Sequence, residues 1–143
     1  MPINGFTVGR DHTITIVTPQ SAIAPTLITK FSAKRDETDK KVKGMDGITR
    51  NVVFPDGWSG TIESDRQDST WDDYFAGVEA DYYSGVDSGK CTITETIQET
   101  SGAVTQWQYT NVVFKYDNAG DYAGDDTVHQ RVSFMAERRI KLT

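Results

Sequence analysis

The strongest constraint on this chain is a two-residue alternation built from β-branched side chains. Residues 12–18 read His-Thr-Ile-Thr-Ile-Val-Thr, with Thr13, Thr15 and Val17 on one side of an extended backbone and Ile14 and Ile16 on the other. A helix would scatter these residues around its circumference, whereas a strand sorts them onto two faces. The stretch 26–33 repeats the pattern, with Leu27, Phe31 and Ala33 facing one way and Thr26, Lys30 and Ser32 the other. Pro19 and Pro25 flank the connection, where neither interrupts a ladder. Residues 91–98 alternate again, Ser101 and Gly102 supply a turn, and 104–114 run back, which predicts a hairpin.

Further strands are expected at 51–54 and 60–64, around a turn at Pro55, Asp56 and Gly57, and at 128–136, followed by a charged tail over 137–142. Asn-Val-Val-Phe occurs at 51–54 and again at 111–114. The repeat marks either pseudo-equivalent strands or a coincidence.

One segment departs from this period. Ser69 can cap a helix, and Asp72 and Asp73 fall in its first turn, where they meet the positive end of the helix dipole. Trp71, Phe75, Val78 and Tyr82 follow at i, i+4, i+7 and i+11, a single apolar stripe that reads as core packing. Gly85 supplies the stop. The expected fold is mainly β, a sandwich or barrel of about eight strands with one packed helix over about residues 69–84. At 143 residues the chain suits one domain, 1–143.

The stretch 34–47 has no sustained period and ends in two glycines, so it reads as a long loop. Lys34, Arg35, Lys40, Lys41 and Lys43 make it basic, and Val42 and Met45 are its only large apolar residues. With the extended N-terminal segment 1–11, it is a candidate arm between subunits. Charge supports the idea. Residues 1–50 carry a net +3, residues 51–130 a net −12 and the last thirteen a net +3. Basic ends flanking an acidic middle suit head-to-tail contacts between copies, and equally a plain solvated surface. The acidic middle opposes a grip on nucleic acid, which needs a basic face.

No catalytic constellation emerges. His12 opens one strand and His129 lies within another, both suited to packing or surface roles. Gly57-Trp58-Ser59-Gly60 lacks the second glycine and the strand-to-helix turn of a nucleophile elbow. From Asp117, the sixth and twelfth positions are Tyr122 and Val128, where a calcium-binding loop needs glycine and glutamate. Cys91, the sole cysteine, excludes an internal disulfide and reads as a buried, inert thiol. The N-terminus lacks the basic-then-apolar pattern of a signal peptide, and no run approaches the ~18 apolar residues of a membrane span. The expectations are no cofactor, no metal, no membrane and no enzyme activity, in a reducing cytoplasm.

Several segments resemble one family. Gly44-Met45-Asp46-Gly47 through Gly57, the aromatic run 71–83, Trp-Gln-Tyr-Thr-Asn-Val-Val-Phe at 107–114, Gly-Asp-Tyr at 120–122 and Val-Ser-Phe-Met-Ala-Glu-Arg-Arg at 132–139 look like the tail-tube protein of contractile-tailed bacteriophages. The resemblance runs from Gly44 to Ile140. It implies hexameric rings, joined edge to edge and stacked into a tube that conducts phage DNA through a contractile sheath. The implied partners are further copies, the sheath protein, and baseplate and terminator proteins, in a virion assembled in the host bacterial cytoplasm. Acids lining the bore would repel phosphates, and Glu95 and Glu99 are the candidates. Two alternatives share the residues: a tube of a contractile injection or type VI-like secretion system, and a monomeric β-sandwich binding module using exposed Trp58 and Trp107.

Overall fold

The computed structural model describes residues 3–23 and 27–143; Pro25, expected in the connection, and Thr26, expected to open the second strand, lie outside them, as do Met1 and Pro2 of the N-terminal segment. Within that segment Ile3 and Phe6 form an isolated bridge, and Gly9–Asp11 make one 3-10 turn. Strands β1 (His12–Val17), β2 (Ala22–Ile23), β3 (Ile28–Lys43) and β4 (Thr49–Asp65) follow, then helix α1 (Thr70–Tyr83). The second half supplies β5 (Cys91–Gln98), β6 (Val104–Asn118), β7 (His129–Ala136) and β8 (Arg138–Lys141). The strands pair antiparallel in the order β2-β1-β5-β6-β7-β4-β3, with β8 also on β6.

β6 joins the two halves of this path. Its first part pairs β5 on one edge and β8 on the other, and its second part pairs β7. β7 and β8 keep one register along β6, since Val113 opposes Met135 and Thr110 opposes Arg138. The residue between them, Glu137, bonds Thr110 through its backbone. The tail expected at 137–142 is therefore mostly a strand. Its run of charged residues hid it, because the pairing with β6 rather than an apolar face specifies it.

The two halves close on a shared core. Phe31 of β3 and Phe134 of β7 stack at 5.7 Å, and both rings meet Tyr109 of β6 edge-on. Ile16, Ile62, Ile93, Val112, Val132 and Cys91 are fully buried with Tyr109 and Phe134. Each such side chain contributes about 1.5–3 kcal/mol relative to exposure.

α1 covers the second part of β6. Trp71 meets Phe114 at 5.6 Å, Phe75 stacks on Tyr116 at 4.4 Å, and Tyr74 meets Phe114 at 5.8 Å while its hydroxyl lies 3.2 Å from the buried Cys91 thiol. The stripe expected through Tyr82 ends sooner. Tyr82 is 76% exposed although it lies only about 20° around the helix from Trp71, at about 100° per residue. The last turn runs past the residues that α1 covers, and Tyr74 takes the place that the pattern assigned to Tyr82. Ser69 also acts differently from a capping side chain: its hydroxyl binds Asp73 at 2.9 Å, while Asp68 accepts the Thr70 amide at 3.1 Å. Gly85, at φ +73°, ends the helix as expected.

Candidate assembly surface

The region read as a loop over 34–47 is a β-ribbon. β3 and β4 stay in register from Glu37 opposite Pro55 to Lys43 opposite Thr49, with a bulge between Arg35 and Glu37. β4 pairs β7 only from Trp58 onward. Beyond Trp58 no other strand pairs with the ribbon among the described residues, and residues 37–43 extend it about 23 Å at about 3.3 Å per residue. The turn at 55–57 is likewise absent. Pro55 sits inside β4 where the chain has lost its second neighbour, so its missing N–H interrupts no ladder, and Gly57 at φ +93° takes up the bend.

The tip is closed locally. Gly44 accepts from the Gly47 amide at 3.0 Å, Asp46 accepts from the Ile48 amide at 3.0 Å, and Arg50 binds Asp46 at 2.9 Å. Asp46 is held below the usual carboxylate range, first by Arg50 and then by Ile48.

Both faces of this ribbon are bare. Residues 37–43 and 45–56 are all exposed. Cross-strand register sorts Lys40, Val42, Arg50, Val52 and Phe54 onto one face, and Lys41, Lys43, Asn51 and Val53 onto the other. Met45 stands at the tip, fully exposed. An isolated two-stranded hairpin is marginal in water, and a bare apolar strip marks a contact surface. Among the arm's cations, Arg35 pairs with Glu37 at 2.6 Å, whereas Lys34, Lys40, Lys41 and Lys43 form no ion pair among the described residues. The repeated Asn-Val-Val-Phe does not mark equivalent strands: at 51–54 it is exposed on the arm, and at 111–114 it buries Val112 and Phe114 in the core.

The proposed bore acids separate. Glu95 is only 6% exposed, at the wall of an open cavity of about 660 Å³ that His12, Trp58 and Arg139 also line. Its Oε1 lies 2.8 Å from His12 Nε2, and its Oε2 accepts from the Tyr109 hydroxyl at 2.9 Å and lies 3.6 Å from Arg139. The reason was legible in the alternation, which puts Glu95 on the same side of β5 as buried Cys91 and Ile93. Burial raises the carboxyl pKa, but the bonds from His12 and Tyr109 and the charges of His12 and Arg139 outweigh it and hold Glu95 below the usual range. Tyr109 is pushed well up, by burial first and then by the Glu95 charge. Glu99 lies in the β5–β6 turn, part-exposed, and accepts from Thr105 at 2.9 Å.

Arg139 completes this cluster, and nothing in its sequence context signals it. Its guanidinium sits 3.7 Å from the Trp107 ring centre and 4.8 Å from that of Trp58. The two tryptophans that a binding module would expose are instead half-buried around an internal cation. Both Glu95 oxygens are engaged, so the cluster is suited to fastening β1, β5, β6 and β8 rather than to moving protons. His129, in contrast, is exposed and pairs with Asp65.

No family model matches the chain, and no curated protein is similar to it in sequence. Solved structures are similar in fold. A chain of the anti-feeding prophage tube-terminating cap superposes with a TM-score of 0.67 at 10% identity, over 100% of this chain and 95% of that one. A chain of the sheath-tube complex of the extracellular contractile injection system PVC, in the extended state, gives 0.61 at 13% identity, over 91% and 88%. A chain of the PVC sheath/tube terminator gives 0.59 at 12% identity, over 100% and 98%. The chain therefore shares the β-rich fold found in tube, cap and terminator assemblies of contractile injection systems.

Proposed function

We propose that this chain is a structural subunit of the tube of a contractile tail-type particle, with no catalytic role. It forms rings of six that stack coaxially, and the β3–β4 arm crosses from one copy to another. The carrying observation is the ribbon beyond Trp58, which has apolar residues on both faces and no cover among the described residues. Fold likeness along the full length to chains from tube-bearing complexes supports the reading, and one such chain comes from a six-fold symmetrised baseplate, with a TM-score of 0.58. The outer edge of β3 supports it too, since no strand pairs with it among the described residues. Joining edges between copies would remove an aggregation hazard.

The partners on this reading are further copies of the chain, a sheath protein around the tube, and baseplate and terminator proteins at its ends. The N-terminal segment 1–11 is a second contact, and Glu99 is the remaining candidate for the bore. In the phage form of this reading, the particle is a virion tail assembled in the bacterial cytoplasm, and an acidic bore lets DNA pass without adhering. A second form, a tube of an injection system carrying protein cargo, is favoured by the origin of the PVC similarities. The contents of purified particles separate the two, nucleic acid in one case and protein in the other.

Negative-stain microscopy of the concentrated protein tests the shared claim. Rings or tubes of uniform diameter with a central hole are expected. A monodisperse monomer at high concentration would overturn it.

A further inference from the structure

A second uncovered surface lies at the opposite end of the molecule. A groove of about 440 Å³ separates α1 from the β1–β2 turn. Ile23, Tyr74 and Val78 supply its apolar lining, Asp73 and Asp81 its charge, and Gly77 leaves a gap in its wall. A Cβ at Gly77 would meet nothing within 4 Å, so the gap is open space.

α1 carries Asp72, Asp73, Glu79 and Asp81 and no basic residue. Asp72 is paired with Arg66 at 3.0 Å, but Asp73, Glu79 and Asp81 meet no cation among the described residues. Glu79 and Asp81 also lie towards the negative end of the helix dipole, where a cation is the favourable neighbour. The arm shows the converse, since Glu37 and Asp46 are taken by Arg35 and Arg50, while Lys40, Lys41 and Lys43, near the exposed Met45, form no ion pair among the described residues.

The two surfaces cannot meet within one chain. The arm leaves β4 at Trp58, whereas α1 begins just beyond the other end of β4, at Asp65. The seven steps from Trp58 to Asp65 span about 23 Å of strand, and the arm runs on from Trp58 in the other direction. Contact between unlike surfaces is heterologous, and it repeats from copy to copy, around a ring where the rotation closes and along a stack where it does not.

We propose that the groove between α1 and the β1–β2 turn receives the arm tip of a second copy, with Met45 entering the gap at Gly77 and the arm lysines facing Asp73 and Asp81. This rests on the reading of the ribbon as an arm between copies, and it names the acceptor. It accounts for a glycine in the middle of a helix, a position that costs about 1 kcal/mol relative to alanine, and for Asp81 near the negative helix end without a cation among the described residues. Opposite charges align the approach, and the thioether fills an apolar gap.

Cysteine crosslinking tests the acceptor on the full chain. Cys91 is buried and leaves the background low. With Met45→Cys and Gly77→Cys in the same chain, mild oxidation of assembled protein should give a ladder of covalent multimers that reduction collapses. Each single variant should stop at a dimer or below. Assembled protein that gives no ladder beyond the single variants overturns the acceptor.

Gly77→Leu gives an independent readout, since the added side chain enters open space and should leave the fold intact by circular dichroism. A tenfold or greater rise in the critical concentration for assembly is expected, and an unchanged value overturns the proposal. Deleting residues 38–54 separates the two levels. If that deletion prevents assembly while crosslinking and Gly77→Leu fail, the arm reading stands and the acceptor is wrong. If the deleted chain assembles normally, both are wrong.

Discussion

Tyr109 donates its hydroxyl to Glu95 from the neighbouring strand at 2.9 Å, inside a cluster that also holds His12 and Arg139. A buried carboxylate with both oxygens engaged becomes a liability for its partners when it is removed. Glu95→Ala leaves Arg139 and His12 facing an apolar gap, and the expected loss is about 3–5 kcal/mol. Urea denaturation of the monomer measures it. A change under ~0.5 kcal/mol would mean that solvent replaces the carboxylate freely.

The same group gives acid sensitivity with a defined sign. Glu95 titrates below its usual value of ~4.3 in the folded chain. Its contribution is therefore complete above about pH 4.3 and is lost as pH falls through the lower folded value. Asp72 is lowered as well, first by the Tyr116 hydroxyl at 2.7 Å and also by Arg66, with burial opposing. Glu95→Gln should flatten the acid limb of stability against pH in part, and Glu95→Gln with Asp72→Asn should flatten it further. Denaturation midpoints from pH 3 to 6 read the difference.

Arg139 lies against Trp107 as a flat cation on a ring face. Lysine keeps the charge but loses the planar contact, so Arg139→Lys should cost about 1–2 kcal/mol. Near-UV circular dichroism should report the change in tryptophan environment.

α1 offers a contrast between two aromatic residues of one stripe. Trp71→Ala should destabilise by about 3–5 kcal/mol, because Trp71 is 3% exposed and packs on Phe114. Tyr82→Ala should change monomer stability by less than ~0.5 kcal/mol. Equal losses at both positions would contradict the docking of α1.

The difference shows where the sequence was informative. Strands with one buried face announce themselves, which is why β1, β5 and the β5–β6 hairpin were legible from their alternation. The helix was legible from its period, but periodicity tells which residues share a face and not how far the covered surface extends, and so Tyr82 was misplaced. The arm was hidden for a related reason. A ribbon with solvent on both sides has no apolar face to sort its residues, so Lys40, Lys41 and Lys43 read as loop composition. Its register is set by the turn at Gly44 and Gly47 and by the partner strand. Glu95 was within reach, because its position in the β5 alternation puts it inside, and its charge suggested a surface that the alternation denies.

The arm itself gives a prediction that separates folding from assembly. Val53→Ser with Phe54→Ser lies on the ribbon beyond Trp58, so monomer stability should change little, while the critical concentration for assembly should rise at least tenfold. Urea denaturation of the monomer measures the first, and sedimentation of the variant beside the parent chain measures the second. A parallel loss of monomer stability would show that the ribbon belongs to the core.

The central claim is that the arm of each copy is buried by another copy. Cryo-electron microscopy of the concentrated full chain tests it most directly. The expected result is a hollow six-fold assembly in which residues 37–55 of every copy lie against a different copy. Assemblies whose arms stand free in solvent, or particles that remain single copies at every concentration, would contradict it.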